Sequence, residues 1–299
     1  MYFYNSNNKI IKNRSPIEIC FIATGDWAPF VTTVALSIVE NTKEKVNFHV
    51  FTKNFGEKDI RIITDFLVGK RSGILIEFID VKNNLKYCEN VQLGWFKDNI
   101  PYARCLIPDL LDIPKAIYMD VDIIVNCDMN ELWNIDLEEY PLAASKGWKD
   151  KCGIEHYHLS PEHLYFNNGL LILNCKKWRE ENIAKQMLHI ARETKIRFRY
   201  PTQDLFNIFF DNNNYKPFDD SYNYQPAYSG KNFTPRIIHY TKDKPWEKEN
   251  CFQGEYFWDY AKKTPYYSLL LQKMDDYKKQ REELFRVFVA NKRKLNNVN

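Results

Sequence analysis

Short apolar runs alternate with amphipathic stretches along the first part of the chain. The apolar runs occupy 17–23, 46–52 and 73–80, and stretches with helical spacing lie between them at 29–41 and 57–68. Strands that alternate with helices at this spacing predict βαβ units and a parallel sheet. Because ligands bind at the carboxyl ends of such strands, the residues that follow each strand are candidates for a site.

The run at 116–125 contains two carboxylates, Asp120 and Asp122, in an otherwise apolar segment. Such a run predicts a buried strand, on which residues two apart point to the same side. A buried carboxylate is costly unless it is paired or bound to a cation, and two oxygen ligands on one side suit Mn²⁺ or Mg²⁺. The alternative is a surface turn with two solvated acids, which the flanking apolar residues disfavour.

Two amides and a glycine interrupt another apolar run, at 164–174. Asn167, Asn168 and Gly169 at this place predict a bulge or a close approach of two backbones. Because unpaired buried amides are costly, we expect the two asparagines to bond a neighbour or a polyol ligand.

An amphipathic helix is predicted at 176–194, and a second helix opens at Pro201. Thr202 is a plausible N-cap for that second helix. Gln203 and Asp204 follow it, where they either satisfy the helix dipole or contribute to a site.

A histidine lies near the end of the last short strand, predicted at 236–241. A lone strand histidine is usually structural, but His239 is followed by lysines, in a chain that already offers two carboxylates. His239 is therefore a candidate metal ligand.

Two further segments carry candidate chemistry. Arg104, in a helix predicted at 101–108, is either a solvated charge or a side chain that reaches a phosphate or the aspartates. The segment 146–160 is predicted to be a polar loop with His156 and His158. We interpret it as a mobile surface segment, with a substrate lid or a metal site as the alternatives.

The C-terminal segment from Thr264 to about residue 294 is predicted to be one long helix, with Thr264 as N-cap and Pro265 in the first position. From residue 272 onward it has eight basic and four acidic residues and an apolar, aromatic stripe. This pattern suits an anionic membrane surface, and packing on the chain's own domain is the alternative.

Composition narrows the function classes. The chain has 299 residues and a formal net charge of +3, too small to indicate a nucleic-acid partner. Its seven scattered cysteines form no Cys-x-x-Cys pair, which argues against a disulfide framework or a zinc site. The polar segment 1–15 has no secretory apolar core, and no run is long enough to cross a bilayer, so we expect a cytoplasmic protein.

Taken in order, these motifs resemble glycosyltransferase family 8, which includes bacterial lipopolysaccharide galactosyl- and glucosyltransferases and glycogenin. The resemblance covers about 17–246. The motifs that carry it are 23–29, Tyr102-Ala103-Arg104, 117–125, 165–169 with Lys176-Lys177-Trp178-Arg179, Gln203-Asp204, and His239-Tyr240 with Lys244-Pro245-Trp246.

The resemblance implies an α/β fold, a GT-A type Rossmann-like domain with a mixed, mainly parallel sheet and a C-terminal helical extension. The expected division is a polar extension at 1–15, a nucleotide-sugar transferase domain at 16–246, and a basic amphipathic helical region at 247–299. It also implies transfer of a hexose, galactose or glucose, from a UDP-sugar to a saccharide or glycolipid acceptor, with retention at the anomeric carbon. The motifs give no signal for the acceptor. With the basic tail, the inner face of the plasma membrane becomes the expected location.

The resemblance further assigns roles to residues. Asp120, Asp122 and His239 would hold Mn²⁺, with Mg²⁺ as the alternative, and Lys244 would contact the phosphates. Gln203, and Asp204 beside it, are the catalytic candidates, with Gln203 favoured as an electrostatic helper in a same-face displacement. The remaining donor-binding candidates are Ala23, Thr24, Asp26, Trp27 (stacked on the base), Arg104, Val121, Asn167 and Asn168.

This sequence departs from the family pattern at three places. Thr24 and Thr202 stand where members often have aspartates, and the segment from His239 to Lys244 is short, with Lys242 where a glycine contact is expected. Three alternatives to an active transferase stay open. They are a non-catalytic sugar-nucleotide binder, which the departures favour, a self-glucosylating protein like glycogenin, and a haloacid-dehalogenase-type phosphatase. The apolar run that continues after Asp122 disfavours the phosphatase.

Overall fold

A computed structural model describes residues 3–4, 10–11, 15–94, 96, 98–229 and 235–296. Side chains are described for 15–288 within these ranges. Most of the predicted N-terminal extension at 1–15 lies outside the described residues.

One mixed sheet organises the described part of the chain. Its seven strands run in the order β10-β8-β9-β6-β3-β4-β5, and β9 is antiparallel to its neighbours while the others are parallel. Two small antiparallel pairs, β1-β2 and β11-β7, complete the strands. The strands are β1 Phe3–Tyr4, β2 Ile10–Ile11, β3 Ile17–Ile22, β4 Val46–Thr52, β5 Ile74–Asp80, β6 Ala116–Met119, β7 Ile123–Val125, β8 Leu142–Ser145, β9 Leu170–Leu173, β10 Lys216–Phe218 and β11 Ile237–His239.

Helices cover both faces of this sheet, which confirms the predicted α/β, mainly parallel fold. The α-helices are α1 Ala28–Asn41, α2 Glu57–Val68, α3 Ile107–Leu110, α4 Asn130–Trp133, α5 Lys151–Tyr157, α6 Cys175–Glu180, α7 Ile183–Glu193, α8 Pro201–Phe209, α9 Pro226–Ser229, α10 Gly254–Ala261 and α11 Tyr267–Asn296. Four 3₁₀ turns lie at Gly25–Trp27, Leu85–Cys88, Ile100–Cys105 and Asp220–Asn223.

The strand pleat divides the interior into two hydrophobic cores. On β3, Ile19 and Phe21 face a core that α1 covers, whereas Cys20 faces a second core around Trp178 of α6. These side chains are fully buried. Each large apolar side chain buried in this way contributes about 1.5–3 kcal/mol, so the two cores hold the sheet and its carboxyl edge rigid.

The predicted continuous strand at 116–125 is wrong, because the chain leaves the main sheet after Met119. Residues 120–122 have no strand structure, and β7 then pairs with β11 in a separate ribbon. Two bonds hold the break: the Asp120 amide donates to the Gly169 carbonyl at 2.7 Å, and the Tyr240 amide donates to the Asp122 carbonyl at 3.0 Å. A backbone bend, not strand alternation, therefore positions the two carboxylates.

Other predicted elements are shorter or divided. The apolar run 164–174 forms a strand only over β9, and the segment 146–160 contains the helix α5. The predicted helix 176–194 divides into α6 and α7 at Asn182, whose φ is +53°. A residue with this left-handed backbone conformation ends the helical hydrogen-bond pattern.

Thr202 is not the N-cap of α8. Tyr200 holds that position, and the Thr202 hydroxyl instead accepts a bond from the Asn168 amide at 3.3 Å. Thr202 lies in the first helical turn, where Pro201 is the first residue. A threonine there turns its hydroxyl to the neighbouring loop.

The C-terminal region begins in contact with the rest of the fold. Phe257 and Ala261 of α10, and Leu270 of α11, belong to the same core as α1. The long helix starts at Tyr267, after the predicted start at Thr264, and its residues 281–288 are exposed. None of the described helices is long and apolar enough to cross a membrane. The domain boundary after 246 stays a prediction.

Candidate functional site

A cavity of about 1020 Å³ opens at the carboxyl edge of the sheet. Its floor is formed by Asp120 and Asp122, which follow β6, and by His239 at the end of β11. Asn167 and Gln203 form one wall. The sequence motifs that were far apart in the chain therefore meet in one place.

Asp120, Asp122 and His239 form a compact cluster of candidate metal ligands. One ligand atom from each lies within 4.8 Å of the other two. The His239 Nε2 atom is 3.3 Å from Asp122 Oδ1 and 3.8 Å from Asp120 Oδ2. Two carboxylates and an imidazole are a donor set that suits Mn²⁺ or another borderline-hard divalent cation.

Asp122 has one oxygen that its surroundings leave unsatisfied. Its Oδ1 atom is buried and accepts no hydrogen bond of good geometry from the described residues, whereas Oδ2 is paired with Lys244. Burial alone would raise the pKa of Asp122, but the charges of Lys244 and His239 lower it well below its usual value. An ionised carboxylate with a free buried oxygen fits a bound cation.

Asp120 is oriented from the other side. The Tyr118 hydroxyl donates to its Oδ1 atom, and Arg104 Nη2 lies 3.3 Å from the same oxygen. The Arg104 guanidinium also donates to the Asn168 carbonyl at 3.3 Å and stacks 4.8 Å from the Tyr118 ring centroid. Arg104 is 8% exposed, so of the two alternatives the solvated charge is wrong, and the side chain reaches an aspartate instead.

Gly169 leaves room for the cluster. A Cβ atom at this position would lie 2.3 Å from His239 Cε1 and 2.6 Å from Asp120 Oδ2. Contacts this close cannot be accommodated without moving a ligand. The glycine predicted to mark a close approach therefore does so, at the candidate metal ligands.

The polar wall of the cavity contains Asn167 and Gln203. Asn167 Nδ2 donates to Gln203 Oε1 at 2.9 Å, and Asn167 Oδ1 accepts from Asn223 at 3.1 Å. The two asparagines predicted to bond a neighbour or a polyol therefore bond neighbours, and Asn167 still lines the cavity.

Asp204 lies behind this wall. It is fully buried and is not among the residues that line the cavity. Its carboxylate accepts hydrogen bonds from Tyr157, Tyr165 and the Tyr200 amide. This geometry favours a supporting role for Asp204 over attack on a substrate.

The segment expected to frame a nucleoside lies beside the cavity. Of the predicted residues, Ala23, Thr24, Asp26, Trp27 and Val121 are not part of its lining. They lie close to it in the fold, because β3 and β6 are parallel neighbours whose carboxyl ends meet the same edge.

Trp27 is 38% exposed on a short turn and packs 5.1 Å from the Phe30 ring centroid. It therefore offers an accessible aromatic face.

Sequence reasoning missed several residues of the site. Asn223, Trp148 and Arg199 line the cavity, and Tyr118 holds Asp120. Trp148 lies in the segment 146–160, for which a substrate lid was one alternative, and that was the available signal. Asn223 lies in a short turn with no periodic pattern, so nothing marked it.

The histidines of the segment 146–160 belong to no described metal cluster. His156 Nε2 bonds the Arg197 carbonyl at 2.8 Å, and His158 ends α5 with a φ of +55°. Lys242 is exposed and outside the cavity lining, whereas Lys244 lies inside it.

The sequence profile of the family described as "Glycosyl transferase family 8" matches residues 18–250 of this chain. The chain belongs to that family. The membership excludes the phosphatase alternative and supports a glycosyl-transfer function.

Similar proteins agree with this assignment. A Haemophilus influenzae protein that carries a glycosyltransferase assignment is 28% identical over 285 residues, 87% of this chain and 79% of that protein. Glycosyltransferase GlyE of Streptococcus pneumoniae is 28% identical over 57% of this chain and 44% of its own length. The chain thus spans less than half of that second relative.

The fold matches that of the galactosyltransferase LgtC, solved in complex with donor and acceptor sugar analogues. The TM-score is 0.71 at 22% identity, over 83% of this chain and 96% of LgtC. This match confirms the GT-A-like fold.

We predict that Gly169→Ala abolishes divalent-cation binding while the protein stays folded. The added Cβ would displace His239 or Asp120, and such overpacking costs about 1–3 kcal/mol of stability. Titration of Mn²⁺ followed by electron paramagnetic resonance measures the binding, and circular dichroism monitors the fold. Gly56→Ala is the matched control, since a Cβ there would lie 3.8 Å from its nearest neighbour. Unchanged Mn²⁺ binding by the Gly169 variant would contradict the cluster as the cation site.

Proposed function

We propose that this protein is a retaining glycosyltransferase that moves a hexose, galactose or glucose, from a UDP-sugar to a saccharide acceptor. The observation that carries the proposal is the cluster of Asp120, Asp122 and His239 on the floor of a cavity of about 1020 Å³. The unsatisfied Asp122 oxygen and the space at Gly169 support a Mn²⁺ site.

Lys244 and the cation serve the departure of the diphosphate. A divalent cation acts as a Lewis acid that stabilises the negative charge on a leaving phosphate. Lys244 pairs with Asp122 beside the candidate metal ligands, where its ammonium supplies a second positive charge for the leaving phosphate. Held by Asp120, Asp122 and His239, the cation would add to the charge of Lys244 and so favour a dissociative displacement, in which the bond to UDP breaks early.

Gln203 stabilises the sugar side of the reaction. Its amide oxygen is held by Asn167 and faces the cavity wall, and an amide is a poor nucleophile. Asp204 is fully buried with both oxygens engaged, which weighs against a covalent intermediate. A same-face displacement retains the anomeric configuration without either residue as nucleophile.

The acceptor sugar binds in the same cavity, against Trp148, which is part of its lining. This ring is 47% exposed, and its backbone is fixed by two hydrogen bonds with Tyr165, at 3.0 and 2.9 Å. Its ring also packs edge-on against Tyr165, with centroids 5.4 Å apart. A rigid, exposed aromatic face is suited to the apolar face of a pyranose.

The C-terminal helix holds the enzyme at an anionic membrane surface, where a glycolipid acceptor is reached from the cytoplasm. Leu284, Phe285 and Phe288 share one face of α11 and are 62%, 66% and 62% exposed. By helical spacing, Lys278 and Arg281 lie on the same side of α11 and complement an anionic surface.

The central prediction is that UDP-sugar binds only with Mn²⁺ and that Asp122→Ala loses this binding. Removal of one ligand leaves an incomplete cation site and costs several kcal/mol of interaction with the diphosphate. Isothermal titration against a panel of UDP-sugars and UDP, with and without Mn²⁺, measures it and selects the donor.

The exposed Asp112→Ala variant is the matched control, since it lies outside the cavity lining. Absence of nucleotide binding in the wild type would reject the proposal. Binding without Mn²⁺-dependent hydrolysis of any UDP-sugar would favour a non-catalytic binder. A hexose found on the purified protein by mass spectrometry would favour self-glucosylation.

Trp148→Ala should raise the acceptor KM by about 2- to 10-fold, because loss of an aromatic contact costs about 0.5–1.5 kcal/mol. Hydrolysis of the donor in the absence of acceptor should not change. Initial-rate kinetics with oligosaccharide acceptors measure both quantities. Tyr87→Ala, another exposed aromatic position, is the control. An unchanged acceptor KM would place the acceptor elsewhere.

The wild-type protein should sediment with vesicles of anionic phospholipid and not with neutral vesicles, and added salt should weaken the binding. Combined replacement of Leu284, Phe285 and Phe288 by serine should abolish sedimentation, because it removes the apolar face. Leu75→Ser, at a position 63% exposed on the edge strand β5, is the control. Equal sedimentation of the triple variant would reject the membrane role of this helix.

A further inference from the structure

A chain of side-chain amides connects the candidate metal ligands with Gln203. It runs from His239 through Asn223 and Asn167 to Gln203, with consecutive heavy-atom distances of 2.8, 3.1 and 2.9 Å. Asn223 is 3% exposed and His239 is 2% exposed. This chain is not explained by packing alone, since each member is a polar group bonded to the next.

A backbone N–H group fixes the direction of the chain. The Gly169 amide donates to Asn167 Oδ1 at 2.9 Å, and a backbone amide can only donate. The Asn167 oxygen therefore faces Gly169 and Asn223, so Asn223 must present its NH₂ group there. The Asn223 oxygen then faces His239 Nδ1, which must carry a proton. The Nε2 lone pair is left for the cation cluster.

The same direction continues to the other end of the chain. Because the Asn167 oxygen faces Gly169, its NH₂ group faces Gln203 and donates to Gln203 Oε1 at 2.9 Å. The Gln203 amide therefore has its oxygen towards Asn167 and its NH₂ group on the other side.

We propose that Asn223 is a positioning residue that sets both ends of the site through this amide relay. It holds His239 in the Nδ1-protonated form, with Nε2 as the ligand atom, and through Asn167 it fixes the direction of the Gln203 amide. The catalytic consequence rests on the proposed glycosyl transfer. The position of the proton on the His239 ring does not rest on that proposal, because it is a property of the protein without ligands.

The first test is nitrogen-15 NMR of His239 in the cation-free protein, where the shifts of the two ring nitrogens report which one carries the proton. His239→Gln assigns the signals. The wild type and Asn223→Asp should show a proton on Nδ1, because a carboxylate accepts the same bond. Asn223→Ala should lose at least half of this form. Gln225→Glu, which adds the same charge to the cavity lining, should resemble the wild type.

The second test separates the two ends of the relay. Asn223→Asp cannot donate to Asn167, so it should keep the wild-type Mn²⁺ affinity but lower kcat by about 10–100-fold. Asn223→Ala should lose both the wild-type Mn²⁺ affinity and the wild-type kcat. If the alanine variant fails to fold, Asn223→Asp still tests the relay, because it preserves the side-chain volume. Because outer partners of metal ligands contribute about 10–100-fold to affinity, the loss is measurable by Mn²⁺ titration.

The outcomes distinguish the relay from the function. Wild-type NMR signals and Mn²⁺ affinity in Asn223→Ala, or a wild-type proton on Nε2, would overturn the relay even if UDP-sugar turnover is intact. Dependence of the His239 form on Asn223, in a protein that binds no UDP-sugar, would support the relay and reject the proposed function.

Discussion

The buried carboxylate of Asp122 is the constraint on which the site depends. Lys244 pairs with one of its oxygens, and the other oxygen has no well-formed hydrogen bond from the described residues. A buried acceptor left unpaired costs about 1–3 kcal/mol, and more when charged. His239 Nε2 lies 3.3 Å from this oxygen, so the two atoms are placed as a pair of candidate cation ligands. The stability lost here is offset by the two large cores that hold the sheet.

Backbone geometry, more than side-chain reach, brings the ligands together. The chain leaves the main sheet after Met119, and the ribbon of β7 and β11 carries His239 to the same place as Asp120. Gly169 lies where these segments meet, with no room for a larger residue. Because the meeting segments are anchored in rigid strands, the backbone itself brings the ligand atoms together.

The strands β3, β4 and β5 and the helices α1 and α2 could be predicted almost to the residue, since their periodicity is strong and their packing is local. The break at 120–122 could not be, because an apolar run looks the same whether it stays in one sheet or crosses to another. The burial of Asp204 depends on Tyr157 and Tyr165, which come from a segment predicted as loop and strand. Asn223 had no pattern to mark it, since its function depends on partners distant in sequence.

The departures from the family pattern fall at the edge of the site and leave its centre intact. Thr202 is 3% exposed and still offers an oxygen, which accepts from the amide of Asn168, whose carbonyl in turn accepts from Arg104. Because Thr202 is neutral, Asp120 is the carboxylate that pairs with Arg104 among the described residues. The short segment after His239 turns Lys242 outward yet brings Lys244 to Asp122. The shortened loop therefore keeps a positive charge beside the candidate metal ligands.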